Sequence, residues 1–274
     1  MSGNQGDQGD QGDAGFAGSF GAAGGFADRV DLPFITEPQV AEQRTSRQYF
    51  GNRNWAADWN AWRYMSELEE SGWRTTISLP PPDAITYDSV DEEINKMRRM
   101  ALDERPDALG EIVSQSHEFI SYFMTVMGGK ANTHPATNRV FHIANLAATR
   151  IVMHFKDHFN RARPHHICPG LLPPIESPGH ASYPSGHATQ AHLFALCAKE
   201  MLAEAPSDQS GPIGVVLDAL AARVARNREI AGVHYPSDSM AGKQLAEAIF
   251  EILKNETTMP KFGAAMDDAQ KEWS

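Results

Sequence analysis

Residues 156–187 read KDHFNRARPHHICPGLLPPIESPGHASYPSGH, and six of the chain's seventeen prolines fall between Arg163 and Ser185. Proline fixes φ and removes a backbone donor, so this stretch is not a helix. A loop of about 20 residues without its own periodicity is uncommon in a compact domain and usually functional. What flanks it is helical. Apolar residues recur at helical spacing over about 134–160 before the loop and 186–205 after it, where Leu193, Leu196, Cys197 and Met201 form the stripe. Further helices are predicted at about 212–229 and at 236–254, where Leu245, Ile249, Ile252 and Leu253 repeat the pattern.

Upstream, Ser89 followed by Glu92 is a capping-box signature opening a helix to about Leu102. Leu109, Ile112, Val113, Ile120, Phe123, Met124 and Met127 then make one long apolar stripe ended by Gly128-Gly129. Trp55, Trp59 and Trp62 stand at i, i+4 and i+7, predicting one helix face packed in the core, though such a face suits a dimer interface as readily. Thr75–Leu79 is the only strand candidate. The fold class that follows is all-α, a helical bundle.

Composition narrows the function classes. A net charge of −11 argues against general nucleic-acid binding, which needs phosphate neutralisation. Two cysteines, Cys168 and Cys197, cannot build a disulfide framework or a four-thiolate zinc site. No apolar run approaches the length of a membrane span. The opening MSGNQGDQGDQGD lacks a basic and an apolar signal region, so a cytoplasmic location is expected. Residues 1–28 carry nine glycines, four aspartates and no Lys or Arg, and read as a disordered tail. Residues 29–274 then read as a single domain with its motif core at about 134–255.

The residues beside the proline loop can grip an anion. Lys156 and Arg163, seven apart, share a helical face if the helix lasts that long. Ser185 is placed to cap the following helix, whose first turn offers free N–H groups and the positive dipole end; Gly186 permits close approach and His187 stands beside it as a proton donor. Further on, Arg228 precedes His234, and Asp238 follows four residues later. A carboxylate on one ring nitrogen fixes the tautomer and frees the other as nucleophile or ligand.

Taken together, KDHFNRARP (156–164), PSGH (184–187) and NREIAGVHYPSD (227–238) resemble the signature of the superfamily of type 2 phosphatidic acid phosphatases, bacterial class A acid phosphatases and vanadium-dependent haloperoxidases. Asn227 stands where that pattern has serine. The resemblance implies an oxyanion held by Lys156, Arg163, Ser185, Gly186 and Arg228. In a phosphatase it implies His234 as nucleophile forming a phosphohistidine, Asp238 orienting it, and His187 as acid and then base, with no metal. In a haloperoxidase it implies vanadate in the same pocket with His234 as the vanadium ligand, and halide, hydrogen peroxide and an organic acceptor as reactants.

Two features divide these readings. The R-x-R-P form at Arg161–Pro164 resembles the bacterial acid phosphatases, and Met153 stands where haloperoxidases usually carry tryptophan. His180, seven residues before His187, resembles a bromoperoxidase histidine associated with halide, or else tunes the pocket. The leading reading is a phosphoric monoester hydrolase acting on a small-molecule ester, the alternative a haloperoxidase, and the third a non-catalytic phosphate-binding protein. The pair His154 and His158 lacks a third ligand for zinc. His165 and His166 add positive character beside Arg161 and Arg163, Arg223 and Arg226 read as a solvated helix face, and Cys168 is assigned no chemistry.

Overall fold

The structure, a computed structural model, describes residues 54–86, 88–203 and 205–274, with shorter pieces at 29–31, 33, 36, 38–41 and 49–51. The Gly-rich segment 1–28 lies outside the described residues. The chain divides into two units, Met1–Ala56 and Ala57–Ser274. Among the described residues there is no β-strand. After short helical turns between 57 and 85, eight helices of seven residues or more follow among the described residues of the second unit: α1 (Val90–Asp103), α2 (Arg105–His117), α3 (Ile120–Val126), α4 (Pro135–Phe159), α5 (Gly186–Met201), α6 (Ser207–Ile230), α7 (Pro236–Leu253) and α8 (Pro260–Gln270), with a four-residue turn at Pro164–Ile167 inside the proline loop. No helix among the described residues is long and apolar enough to cross a membrane.

Helix α5 is the centre, packed against α4, α6, α7 and α8. Its Ala188, Ala191, Ala195, Cys197 and Ala198 are fully buried, and these small side chains let neighbouring helices close in. Phe194 supplies the bulk, with ring centroids 5.5, 5.5 and 5.4 Å from Phe119, Phe123 and Phe141. Where α7 crosses the first turn of α5, a Cβ on Gly242 would lie 2.8 Å from both the Ala188 Cβ and the Ser185 carbonyl. Only glycine permits this crossing. It allows the Ser185 N–H to reach the Asp238 carbonyl at 3.0 Å, tying the end of the proline loop to α7.

The capping box opens α1 as expected, with Glu92 N–H on Ser89 Oγ at 3.3 Å and Ser89 N–H on Glu92 Oε2 at 2.7 Å. Other local expectations are corrected. The tryptophan stripe is not core: the helix at Ala57–Ala61 passes into a 3₁₀ turn at Trp62–Tyr64, losing the 3.6 period, and Trp59 and Trp62 are 57% and 51% exposed. Trp55, in the first unit, is also exposed. The stripe at 109–127 is two helices, because Glu118 is extended and caps α3 through Ser121 N–H (2.8 Å) and Oγ (2.7 Å). Leu109 and Val113 face outward in consequence. At Thr75–Leu79, both threonine hydroxyls bond back to the Gly72 carbonyl and Trp73–Thr76 is a helical turn rather than a strand.

Helix α8 had no counterpart in the sequence reading, yet the segment after it fastens α4. Glu272 accepts from Ala136 N–H (2.9 Å), Thr137 N–H (2.9 Å) and Thr137 Oγ1 (2.8 Å), pairing the orphan donors of α4's first turn. Its carboxylate also sits at the positive end of the helix dipole. Glu272→Ala is therefore expected to cost about 2 kcal/mol, read by chemical denaturation. An unchanged midpoint would show that water replaces these bonds at no cost.

Candidate active site

Lys156 lies in the last turn of α4 and is buried. The helix stops at Phe159 because Asn160 turns left-handed (φ 43°), so Lys156 and Arg163 do not share a helical face. The chain instead doubles back and delivers Arg163 from the proline loop, as the extended residue before Pro164. Both cations staple the loop's far limb. Lys156 Nζ donates to the Ala181 and Ser182 carbonyls at 2.7 and 2.8 Å. Arg163 donates Nε to the His180 carbonyl and Nη1 to the Val233 carbonyl, each at 2.9 Å. An ammonium has three hydrogens, so Lys156 keeps one to give, while Arg163 can redirect the two hydrogens that make only 3.5 Å contacts, to the Ala181 carbonyl and His234 Nε2. Burial, then Arg163, pushes the Lys156 ammonium down to about 7.

Arg228, in the last turn of α6 and 1% exposed, donates Nη2 to the Ile112 carbonyl at 2.8 Å. Its Nε and Nη1 are buried and meet no protein acceptor. Burial pushes this guanidinium down to about 10. Ser185 caps α5, its Oγ accepting from Ala188 N–H at 3.3 Å, which leaves the hydroxyl hydrogen to give. A Cβ on Gly186 would meet only Val152 at 3.8 Å, so protein packing does not demand glycine there.

His234 precedes α7, which begins at Pro236, yet its Nδ1 lies 3.0 Å from Asp238 Oδ2. Asp238 also accepts from Ser182 Oγ, from Tyr235 N–H at 3.1 Å and from Arg161 Nη1 at 2.7 Å. Burial alone would raise the Asp238 carboxyl; the bonds from His234, Arg161 and Ser182 outweigh it and hold it at about 2. Burial, with Lys156 and Arg163 nearby, lowers His234 well below the ordinary range against the pull of Asp238. The neutral ring gives its Nδ1 proton to the carboxylate and keeps a lone pair on Nε2, which lies 3.5 Å from Arg163 Nη1.

His187 Nε2 lies 3.0 Å from the Gln115 carbonyl, and the ring stacks on Phe119 at 5.3 Å. A carbonyl only accepts, so Nε2 carries the proton and Nδ1 is left to exchange one. Burial, then Arg228, pushes His187 down to about 3. His180 Nδ1 lies 3.1 Å from Arg163 Nη2. The same Nδ1 lies 3.2 Å from the Ala181 carbonyl; burial, then Lys156, lowers His180 to about 4, so the ring is neutral.

Three residues of this network escaped the sequence reading. Arg161, read only as part of a local positive patch, is ion-paired to Asp238 and to Glu93 (2.9 Å), with its guanidinium 3.7 Å over the Tyr235 ring. Glu93, 1% exposed, also accepts Ser237 N–H at 2.7 Å. Gln115 is fully buried and its side-chain oxygen accepts from Asn227 at 2.9 Å, so the departure at Asn227 anchors the carbonyl that holds His187. A legible signal existed for Glu93, which lies on the face of buried Met97 and Met100 at i+4 and i+7. Outside the network, Arg223 and Arg226 pair with Glu111 and Glu104 on partly exposed surface, His154 meets Trp73 edge-on at 5.1 Å, and His165 and His166 touch each other at 4.3 Å. Among the described residues no cluster could hold a metal ion through His, Cys, Asp and Glu alone.

An anion beside Lys156 should restore its proton. Tungstate, a tetrahedral dianion at neutral pH, is expected to lose affinity as pH rises through about 7, with proton uptake on binding above that pH. Calorimetry in buffers of different ionisation enthalpy reads the uptake. A flat affinity across neutral pH would place Lys156 outside the anion's reach.

The family model described as "PAP2 superfamily" matches residues 140–255, the segment holding every motif. A solved transmembrane PAP2-type phosphatidylglycerolphosphate phosphatase from Bacillus subtilis shares the fold, with a TM-score of 0.50 and 15% identity over 72% of this chain and 96% of that one. No curated protein matches the sequence.

Proposed function

We propose that the chain is a phosphoric monoester hydrolase working through a phosphohistidine on His234. The observation that carries this is Arg228: a buried guanidinium with Nε and Nη1 unpartnered costs free energy unless an anion completes it. With Lys156, Arg163 and the first turn of α5, it forms a donor set for a tetrahedral oxyanion, strongest as charge develops on a five-coordinate phosphorus. The match of residues 140–255 to the PAP2 family model and the phosphatase activity named for the Bacillus protein support the same class of chemistry.

In the first step, His234 Nε2 forms a bond to phosphorus while the ester P–O bond breaks, and His187 gives its proton to the departing oxygen. Asp238 stabilises the imidazolium as it forms. In the second step, water attacks phosphorus, His187 takes the water's proton, and the P–N bond breaks to free phosphate and His234. His187 is neutral in the empty pocket, so Nδ1 takes its working proton from solvent as the dianionic substrate binds and its charge offsets Arg228.

The same donors fit orthovanadate: Lys156, Arg163 and Arg228 would hold its oxygens and His234 its metal. When bound, vanadate supplies peroxide activation. The halide reading turns on His180, whose Nδ1 lies 3.1 Å from Arg163 Nη2, a contact that supports the reading of His180 as a pocket-tuning residue.

The test is steady-state hydrolysis of an aryl phosphate by metal-chelated, vanadate-free protein. Turnover of about 1 s⁻¹ or more, inhibited by vanadate, is expected. Turnover orders of magnitude lower with vanadate still bound would instead mean a pocket built to hold an oxyanion. His187→Ala is expected to lower kcat/KM about 10²–10³-fold for an alkyl phosphate and far less for an activated aryl ester, which leaves without a proton. Equal losses on both would remove His187 from the acid role.

A further inference from the structure

We infer that Glu93 and Arg161 are positioning residues for the His234–Asp238 pair, which makes α1, outside the segment matched by the family, a working part of the site. This rests on the phosphohistidine reading above. Arg161 is held by four partners at once. One arm, Nη1, meets Asp238 Oδ1 and Ser237 Oγ at 2.7 Å each; the other, Nη2, meets Glu93 Oε2 at 2.9 Å; the flat face covers Tyr235. Glu93 fixes the same corner of α7 from its other side, accepting Ser237 N–H at 2.7 Å and Ser237 Oγ at 2.9 Å. Glu93 and Asp238 are 1% and 0% exposed at the side chain and Arg161 13%, so water does not substitute for these bonds.

The consequence falls on Asp238. Its Oδ1 is given to Arg161 and its Oδ2 to His234 Nδ1, Tyr235 N–H and Ser182 Oγ. Arg161 thus sets the carboxylate's rotation, and through it the direction in which the His234 ring presents Nε2. Glu93 shares the guanidinium's charge, so that Arg161 anchors Asp238 without taking it from His234. A carboxylate gripped by one cation alone would turn toward that cation and slacken the bond to the ring.

The test separates two probes of the pocket. Inorganic phosphate is held by Lys156, Arg163 and Arg228, whereas orthovanadate also needs the aimed Nε2 lone pair. In Glu93→Gln, which keeps size and removes charge, orthovanadate affinity and kcat on an aryl phosphate are each expected to fall about tenfold, the worth of one charge-assisted hydrogen bond. Inorganic phosphate affinity should change less than about twofold. Arg161→Lys, which keeps charge and loses the fork, should reproduce the split and covers the case in which Glu93→Gln fails to fold. Equal loss on both probes would reduce the pair to general structural support, and no loss on either would remove its role; both overturn the inference. Wild-type protein that binds orthovanadate but hydrolyses no ester overturns the functional reading instead, and the orthovanadate-to-phosphate ratio in the variants still decides this one.

Discussion

His234→Ala is expected to reduce aryl phosphate turnover to the background rate, a loss of about 10⁴-fold or more, because no other group can accept the phosphoryl. The pocket cations stay in place in this variant. Arg163 keeps its bonds to the His180 and Val233 carbonyls, and Lys156 its bonds to Ala181 and Ser182. Inorganic phosphate should therefore still bind, within a few-fold of wild type, by calorimetry. Near-normal turnover in this variant would remove His234 from the chemistry. Loss of phosphate binding as well would mean that the ring holds the pocket's shape rather than reacting in it.

The second large effect is at Arg228 and has opposite signs for function and stability. Arg228→Met removes the guanidinium whose Nε and Nη1 find no protein acceptor, and with it the donors for the anion. Inorganic phosphate affinity is expected to fall about 10²-fold and kcat/KM about 10³-fold, the scale on which a preorganised donor acts. The phosphate-free protein should melt no lower than wild type, because an uncompensated buried cation has been replaced by an apolar chain of similar length. Only the bond to the Ile112 carbonyl is lost. Phosphate should raise the Tm of wild type and leave the variant unmoved. A variant that binds phosphate normally but melts well below wild type would make Arg228 a structural residue tying α6 to α2.

Much of this site was legible because its chemistry is local in sequence. Lys156, Ser185, His187, Arg228, His234 and Asp238 sit at or beside the ends of helices, where residue type and spacing indicate what a turn can present, and Arg163 sits in the proline loop. The proline loop between them declared itself by composition. The bundle was legible from apolar period alone, since α5 and α7 bury regular stripes. What escaped reading depends on pairing across the chain. Glu93 and Ser237 are 144 residues apart, and although Glu93 shares the helix face of Met97 and Met100, nothing local to α1 says which residues its carboxylate meets. The same holds for Gln115 against Asn227 and for Gly242, whose need for a bare Cα exists only because α5 lies against it. Local propensity misled where it met a tertiary constraint: the tryptophans follow a helical period that the chain abandons at Trp62, and Lys156 and Arg163 follow one that Asn160 ends.

The central claim is a covalent phosphoryl group on His234, and rapid quenching tests it most directly. Wild-type protein mixed with a labelled aryl phosphate and stopped in alkali, where a phosphohistidine survives, should carry acid-labile label on the peptide containing His234. The label should form at least as fast as kcat and be absent from His234→Ala. Turnover without label at any quench time, or label on another residue, would contradict the account.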